Sequence, residues 1–217
     1  MRFDLHVHTS LSPCSDLDIA DILAHARSRR LDGVCITDHD TMAVREQIEE
    51  GIQDDGLCVI FGMEYETPEG DFLLFGPFEN LETGLPAPHL LDLVREQGGA
   101  AVAAHPFRKG RPTGEHLVRE SLCRLVEGIN GRNSDDENRR VQAWKKSFAV
   151  RECGGSDAHT IEELGRVVTR FNRPVRSRGD LIRALNAGHC SPEWNIRPQP
   201  AVAAAPVPPT FSPLPSF

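Results

Sequence analysis

The sequence lacks the features by which membrane and secreted proteins are recognised. It contains no run of 18 or more apolar residues, so a membrane-spanning helix of ordinary length is not expected. The stretch Met1-Arg2-Phe3-Asp4 carries an acid where a signal peptide would begin its apolar segment. We therefore expect a cytoplasmic protein that does not associate with membranes.

An excess of positive charge is also missing. The 217 residues include 24 lysines and arginines against 32 acids, which gives a net charge of -8. This balance argues against a general nucleic-acid coat, because such proteins neutralise phosphates with many basic side chains. A local basic pocket for one phosphate remains compatible with it. With 39% hydrophobic residues, the length predicts one domain with one substantial core.

The six cysteines include no Cys-x-x-Cys pair, which argues against a zinc knuckle. Cys35, Cys58 and Cys153 lie inside apolar runs, where a reduced thiol behaves as a small core residue. We therefore predict buried free thiols rather than disulfides. The prediction of burial is weakest for Cys14, which lies close to the first histidine pair.

Apolar strand-like runs alternate with amphipathic helical stretches along the chain. Strands are predicted at 2–7, 34–37, 57–61, 72–75, 100–104, 125–129, 150–153 and 167–171, with a hairpin turn at 68–71. Helices are predicted through 19–26 with Ser15 or Asp16 as the cap, then at 42–51, 90–97, from 115, at 135–148 and at 178–187. This alternation is typical of parallel α/β barrels, in which the loops that follow the strands share one face and carry the active site.

Polar residues are concentrated where the predicted strands end. His6 and His8 are two apart on the first strand, so their imidazoles point to the same side. A single histidine or acid at the end of a strand is weak evidence, since such residues often begin a helix. The occurrence of several, each at the end of a different strand, predicts that they converge in space. The candidates are His6, His8, His39, Glu64, His105, Asn130, Asp157 and His159.

Four motifs in order resemble those of the polymerase and histidinol phosphatase (PHP) family over about residues 1–170. They are His6-Val7-His8-Thr9-x-x-Ser12, Thr37-Asp38-His39-Asp40, Ala104-His105-Pro106 and Gly155-Ser156-Asp157-Ala158-His159. The resemblance implies an α/β fold, a distorted seven-stranded (β/α) TIM-like barrel with its metal site at the C-terminal ends of the strands. It also implies two or three divalent transition metals, and the mixture of nitrogen and oxygen ligands suits manganese, zinc or iron.

Carried over by position, the resemblance implies three ligand sets. The first comprises His6, His8, Glu64 and Asp157, and the second shares Glu64 and adds His105. The third comprises Asp16, His39 and His159. In many members a histidine or cysteine completes the second set, whereas this chain offers Asn130 after the corresponding strand.

The implied activity is metal-dependent hydrolysis of a phosphate monoester or a small nucleotide or oligonucleotide phosphoester by a metal-bound hydroxide. The expected partner is a small phosphorylated substrate, with nucleotides and short RNA as candidates. Arg108, Lys109 and Arg132 follow ligand-bearing strands and are candidates for clamping the phosphate, the alternative being solvated loop charges. His39 or His159, if its site holds no metal, is a candidate proton donor to the leaving group.

Other functions remain open at this point. A histidinol-phosphate phosphatase-like enzyme would use the same motifs, as would a non-catalytic metal-binding PHP module, although loss of catalysis removes ligands that this chain retains. Amide or lactone hydrolysis would use similar metals. Only 40 residues separate Glu64 from His105, so the inserted subdomain that caps the substrate in larger relatives is expected to be absent and the site to be open.

Several further acids have two interpretations each. Asp4 and Asp38 either orient imidazoles or serve the backbone. Asp40 is predicted to cap the helix at 42–51, and Glu66 lies either beside Glu64 or in solvent.

The last part of the chain differs in composition. Residues 198–217 contain seven prolines in twenty residues, which predicts an extended tail behind a metal-dependent hydrolase domain at 1–197.

Overall fold

The computed structural model describes residues 1–195, which form a mixed α/β fold. The predicted tail at 198–217 and the predicted domain boundary lie outside these residues. The strands are β1 (Arg2–Val7), β2 (Gly33–Ile36), β3 (Gly51–Ile52), β4 (Cys58–Phe61), β5 (Met63–Thr67), β6 (Gly70–Phe75), β7 (Ala100–Ala103), β8 (Leu125–Asn130), β9 (Arg151–Gly155), β10 (Val167–Phe171) and β11 (Cys190–Trp194). The α-helices are α1 (Ile19–Ala26), α2 (Ala87–Glu96), α3 (Glu115–Arg119), α4 (Asp135–Ser147) and α5 (Arg178–Ala187).

The strands form two sheets. The first has six strands in the order β11-β10-β1-β2-β4-β3, with β1, β2 and β4 parallel. The second has five strands in the order β5-β6-β7-β8-β9, with β7, β8 and β9 parallel and the β5–β6 hairpin antiparallel. The parallel strands therefore end on one side of each sheet, where the polar residues that follow them collect.

Both ends of the five-stranded sheet, at β5 and beyond β9, approach the middle of the six-stranded sheet, at β1 and beyond β2. One isolated parallel bridge joins Val7 to Ala158, and another joins His39 to Glu64. Each junction has a single bridge rather than a continuous ladder, so the hydrogen bonds of the described residues do not form one closed barrel. The α/β class is confirmed, and the seven-stranded barrel is not confirmed.

Apolar side chains from both sheets share one buried cluster. Leu5 of β1 and Ile60 of β4 come from the six-stranded sheet, while Leu73 of β6 and Val102 of β7 come from the five-stranded sheet. Leu181 of α5 packs against the same cluster. A second cluster contains inward-facing side chains of α1, α2 and α4 packed on the sheets. Burial of these surfaces, at about 25 cal/mol per Å², is the main force that holds the two sheets together.

Two predictions about elements were wrong, and strand β11 was missed. Residues 42–51 form a short 3-10 helix, Ala43–Glu46, followed by β3. Met42 and Val44 are both buried, and a two-residue spacing does not fit one face of an α-helix. The N-cap position of α1 is occupied by Asp18, not Ser15 or Asp16. β11 was not predicted, because Ser191-Pro192-Glu193 carries no apolar run; it pairs antiparallel with β10 at the sheet edge, where a proline is tolerated.

The prediction of free thiols is confirmed for all six cysteines, and the prediction of burial for Cys35, Cys58, Cys123 and Cys153; Cys14 is exposed and Cys190 is partly buried. Within residues 1–195, no helix is both long and apolar enough to cross a bilayer.

Candidate metal centre

Two histidines and two carboxylates from three strands converge on one point. His6 and His8 lie at the end of β1, and their Nε2 atoms are 3.0 Å apart. Glu64 of β5 places Oε2 at 3.2 Å from the first of these atoms and 3.1 Å from the second. Asp157, which follows β9, places Oδ1 at 3.6 and 3.5 Å from them. The first predicted ligand set is therefore assembled in space.

Unusual backbone geometry makes this convergence possible. Gly155 lies so close to β1 that a Cβ at this position would be 2.4 Å from the Cβ of His6, so only glycine fits. Asp157 and His105 have φ values of 55° and 31°, in the left-handed region that non-glycine residues rarely adopt. Such strain persists only where the surrounding structure enforces it, and it is typical of functional sites.

A second group lies on the other side of Glu64. Its Oε1 is 2.8 Å from Nε2 of His105, and Oδ2 of Asp71 is 3.8 Å from the same nitrogen. All three residues are buried. Asp71, on β6, also forms an ion pair with Arg111. Asp71 was not among the predicted ligands, because the sequence suggested only a turn at this position.

A third group contains His8, His39 and His159, whose ligand atoms lie within 4.8 Å of one another. The ring centroid of His8 is 4.5 Å from that of His39 and 4.3 Å from that of His159. Asp16, predicted to be a member of this set, is exposed and lies outside all three groups. The reason is local: its neighbours Ser15 and Leu17 are buried, and the side chain between them faces outward.

Glu127 of β8 supports the first and second groups from behind. Its Oε1 is 3.0 Å from Nδ1 of His6, and its Oε2 accepts hydrogen bonds from the backbone N–H of His105 and from Nδ2 of Asn130, both at 2.8 Å. An ionised carboxylate only accepts, so Nδ1 of His6 carries the proton and donates it. In the neutral imidazole, Nε2 is then free to act as a ligand.

The acids with two interpretations serve the backbone and hydroxyl groups. Asp38 accepts hydrogen bonds from the Thr9 N–H and hydroxyl and from the Ser12 hydroxyl, which in turn lies 3.2 Å from Nδ1 of His8. Asp4 accepts from the backbone N–H groups of Ser156 and Gly165, at 2.8 and 2.9 Å.

The structure also bears on the predictions made for Asp40 and Glu66. Asp40 accepts from the Glu66 N–H and caps no α-helix, so that prediction was wrong. Glu66 is exposed, although its Oε1 lies 3.5 Å from Nδ1 of His39.

The buried charges shift one another's protonation. Burial would raise the pKa of Glu64, but the positive charge of His6 and hydrogen bonds from the neighbouring histidines hold that pKa well below its usual range. Burial would lower the pKa of His6, but Glu64, Asp157 and Glu127 raise it well above its usual range. The pKa of Asp157 is likewise held well below its usual range, against burial, by the positive charge of His6 and a hydrogen bond from His8. Glu64 and Asp157 are thus ionised and require positive charge beside them. Divalent cations can supply that charge in place of imidazole protons, with release of those protons.

The donor set fits divalent metals by its chemistry and by its unsatisfied atoms. Imidazole nitrogens with carboxylate oxygens suit zinc, manganese and iron. Nδ1 of His105 and Nδ1 of His39 are buried and have no hydrogen-bond partner among the described residues. Buried polar atoms are ordinarily paired, so the unpaired Nδ1 of His39, which lies 3.4 Å from Oε2 of Glu64, indicates that a partner of another kind belongs here. In His105 it is Nε2, not the unpaired Nδ1, that faces Glu64.

Two of the three basic residues predicted to clamp the phosphate, Arg108 and Arg132, lie at the edge of the centre. Arg108 donates to Oδ2 of Asp157 at 2.6 Å and to Oδ1 of Asn130 at 2.9 Å. Nη1 of Arg132 lies 2.8 Å from Nδ1 of His159. Lys109 is exposed, and its backbone N–H donates to Glu137 of α4. Arg108 and Arg132 therefore touch the centre directly, whereas no contact of Lys109 with it is seen.

Comparison with known proteins places this centre in a family. A family model described as "PHP domain" matches residues 4–119, more than half of the chain, and one described as "PHP-associated" matches residues 135–190. An uncharacterised protein of Methanocaldococcus jannaschii is 31% identical over 117 residues, which cover 49% of this chain and 68% of that protein.

Two solved structures share the fold. One is a two-domain protein from Bacteroides vulgatus that contains a predicted PHP-like metal-dependent phosphoesterase, with 17% identity, a TM-score of 0.67 and coverage of 89% of this chain and 64% of that one. The other is a lesion-specific endonuclease from Pyrococcus furiosus, with 17% identity, a TM-score of 0.66 and coverage of 88% and 57%. This chain thus spans less than two thirds of either protein. From the match of the family model to most of the motif-bearing region, the chain belongs to the PHP domain family.

Proposed function

We propose that this chain is a metal-dependent phosphoesterase that hydrolyses a phosphate monoester or a small nucleotide or oligonucleotide phosphoester. The observation that carries the proposal is the convergence of His6, His8, Glu64 and Asp157 around one point. Family membership and the phosphoester-cleaving names of the two structural neighbours support it. Two or three divalent transition metals, of which manganese, zinc and iron fit the donors, are the proposed cofactors.

The histidines and acids of the three groups would hold the metals, with His6, His8, Glu64 and Asp157 in the first site, Glu64 and His105 in the second, and His39 and His159 in the third. When bound, such metals lower the pKa of a water and neutralise phosphate oxygens. Glu127 keeps Nε2 of His6 turned toward the centre through its hydrogen bond to Nδ1. His39 or His159, in a site without metal, would donate a proton to the leaving oxygen.

The proposed role of Arg108 and Arg132 is to bind the phosphate. Arg108 is held by Asp157, Asn130 and Asn133, so its guanidinium is ordered before substrate arrives. Arg132 is exposed on one side and faces His159 on the other. A guanidinium matches phosphate oxygens in a two-pronged way, and pre-ordering reduces the entropy lost on binding. Lys109, exposed on the same loop as Arg108, would attract the substrate as a point charge.

A small substrate is favoured over a long nucleic acid. The net charge of -8 gives no general attraction for a polyanion, and Glu64 and His105 are too close in sequence for a large inserted cap between them. The Pyrococcus furiosus neighbour is named as an endonuclease, so short oligonucleotides belong in any test.

The test is a screen of phosphorylated metabolites, nucleotides and short oligonucleotides with manganese, using the full chain and its Arg132→Gln variant. Arg132→Gln should reduce kcat/KM for the best phosphoester by about 100-fold, because a charged donor to the phosphate is lost. Arg139→Gln is the matched control, since Arg139 is exposed on α4 and, among residues 1–195, forms an ion pair with Asp136 alone. It should leave turnover unchanged.

Two outcomes would oppose the proposal. The first is the absence of turnover for every phosphoester with metal present. The second is a loss on Arg132→Gln that is equally large for amide or lactone substrates, because a neutral carbonyl has no phosphate charge for Arg132 to bind.

We also propose that the two sheets are parts of one distorted (β/α) barrel whose seams lie at the two bridges. The shared apolar cluster and the bridges Val7–Ala158 and His39–Glu64 support this arrangement. An experimental structure with metal bound would test it: continuous ladders at both seams are expected, and widely separated seams would refute the barrel.

A further inference from the structure

Cys14 lies on the loop between β1 and α1, and its side chain reaches the third histidine group. Its Sγ is 3.1 Å from Nε2 of His159. The residue is exposed on its other side. None of the proposed ligand sets includes this thiol, and the sequence pointed to Asp16 instead.

The loop is fastened on both sides of Cys14 to the segments that carry the histidines. Before it, the Ser12 hydroxyl donates to Asp38 at 2.6 Å and accepts the His39 N–H at 3.1 Å. After it, the Ser15 hydroxyl lies within hydrogen-bond distance of the backbone carbonyls of His8 and His159, at 3.1 and 3.2 Å. These contacts fix the loop on both sides of Cys14 and so keep this residue close to the group.

A separate observation concerns Nδ1 of His39, which lies 3.4 Å from Oε2 of Glu64 and 3.5 Å from Oε1 of Glu66. Nδ1 of His39 is buried and has no hydrogen-bond partner among the described residues. His8, His39 and His159 bring their ligand atoms within 4.8 Å of one another. Two imidazoles and a thiolate make a donor set that zinc accepts, with one position left for water or substrate.

We propose that Cys14, and not Asp16, completes the third metal site together with His39 and His159. The proposal deepens the proposed function and rests on the metal centre that it assumes. A thiolate is a softer ligand than a carboxylate, so this site should prefer zinc or cobalt to manganese, while the two carboxylate-rich groups remain suited to manganese. The three sites of one centre would then differ in the metal that they select.

The test is the absorption spectrum of the full chain reconstituted with cobalt. A cobalt ion bound to a thiolate shows a charge-transfer band in the near ultraviolet, and this band requires no substrate. The wild-type protein should show the band, and Cys14→Ser should abolish it with loss of about one equivalent of bound metal. Asp16→Asn and Cys190→Ser are the controls, because Asp16 is exposed outside the groups and Cys190 lies on β11. Both should keep the band and the stoichiometry.

A second measurement avoids any substitution. Alkylation of Cys14 in wild-type protein should be fast after chelator treatment and at least 10-fold slower after zinc is added. Absence of the cobalt band in the wild type, persistence of the band in Cys14→Ser, or an alkylation rate that zinc does not change would overturn the proposal. If the band appears and no phosphoester is hydrolysed, the proposed function fails and the ligand assignment stands. If a phosphoester is hydrolysed and the band is absent, the ligand assignment fails and the proposed function stands.

Discussion

At the scale of single residues, Glu127 shows how one buried acid fixes several others. It accepts hydrogen bonds from the His6 ring, the His105 N–H and the Asn130 amide, and it is 1% exposed. All three partners are donors, and a carboxylate satisfies all of them because it only accepts. The orientation of His6 therefore depends on a hydrogen bond to a residue that is not itself in any of the three ligand groups.

We predict that Glu127→Gln weakens metal binding by about 10- to 100-fold, because the amide NH₂ must face one of three donors and release either His6 or His105 from its position. Metal affinity measured by competition with a chromogenic chelator would check this. Glu152→Gln is the matched control, since Glu152 lies on the neighbouring strand β9 and pairs with Lys145. Equal affinities in wild type and Glu127→Gln would show that Glu127 is not a positioning residue.

The predictability of the centre from sequence also differs from residue to residue. The histidine pair, His39, His105 and the Asp157-x-His159 motif could be predicted because each follows an apolar strand directly. Glu127 could not, although an acid within the apolar run 125–129 was a visible signal. The register of β8 against β9 shifts between Glu127 and Ile129, and such an irregularity turns a side chain away from the face that simple alternation assigns to it. Asp16 is not placed in the third group because its neighbours Ser15 and Leu17 are buried and its own side chain faces outward, and the sequence of the loop does not show which of its residues point inward.

At the scale of elements, helix α4 begins with a reciprocal cap. The Ser134 hydroxyl accepts the Glu137 N–H, and the Glu137 side chain accepts the Ser134 N–H. The spacing Ser-x-x-Glu before a helix is visible in the sequence, and the helix predicted at 135–148 forms at Asp135–Ser147.

We predict that Ser134→Ala lowers the free energy of unfolding by about 1 kcal/mol, since the first turn of α4 loses its side-chain acceptor. Chemical denaturation followed by circular dichroism would measure the change. Ser147→Ala, at the exposed end of the same helix, should change stability by less than about 0.5 kcal/mol. A similar loss in both variants would mean that the cap is not the cause.

Helix α5 is joined to two distant loops by its first residue. Arg178 donates to both carboxylate oxygens of Glu50, at 2.9 and 3.0 Å, and to Glu79 and the Gly76 carbonyl at 2.7 Å. Its side chain is 19% exposed. The helix predicted at 178–187 forms with the same bounds, but this three-way connection could not be predicted, because nothing local links residues 128 and 99 positions apart.

We predict that Arg178→Met lowers the free energy of unfolding by about 2 kcal/mol at neutral pH, because it leaves two partly buried carboxylates without their counterion. Arg183→Met, an exposed pair with Asp180 on the same helix, should cost less than about 0.5 kcal/mol.

The effect of Arg178→Met should depend on pH in a defined direction. Burial would raise the pKa of Glu79, but the hydrogen bond from Arg178 outweighs it and lowers that pKa below the ordinary value of 4.5. The stabilisation is therefore complete above that value and is lost as pH falls through the lowered pKa. Urea denaturation at a series of pH values should show the difference between wild type and variant narrowing below about pH 4.5; a constant difference would exclude the ion pairs as its cause.

At the scale of the whole molecule, the ligand candidates of both sheets converge on one centre. Ligand candidates come from β1 and β5 and from the segments after β2, β7 and β9, so they belong to both sheets. The alternation of strands and helices predicted this convergence, whereas the partition into two sheets could not be predicted, because hydrogen bonding at the seams depends on twist and spacing rather than on apolar pattern.

We predict that metal removal destabilises the entire fold. A ligand that binds only the native state at 100 times its Kd adds about 2.7 kcal/mol to the free energy of unfolding. The Tm of chelator-treated protein should therefore rise when manganese or zinc is restored. Asp157→Asn, which removes one charge at nearly constant shape, should show a smaller rise. An unchanged Tm on metal addition to the wild type would contradict metal binding to the native state.

The position of β1 in the middle of its sheet has a consequence for how the protein is made. His6 and His8 leave the ribosome before Asp157 and His159, which follow about 150 residues later, after roughly 10 to 30 s at ordinary rates of synthesis. During that interval β1 has β2 as a partner but neither β10 nor the segment after β9. During synthesis the two histidines thus remain without Asp157 until the segment after β9 emerges, so the proposed first metal site is completed late in synthesis.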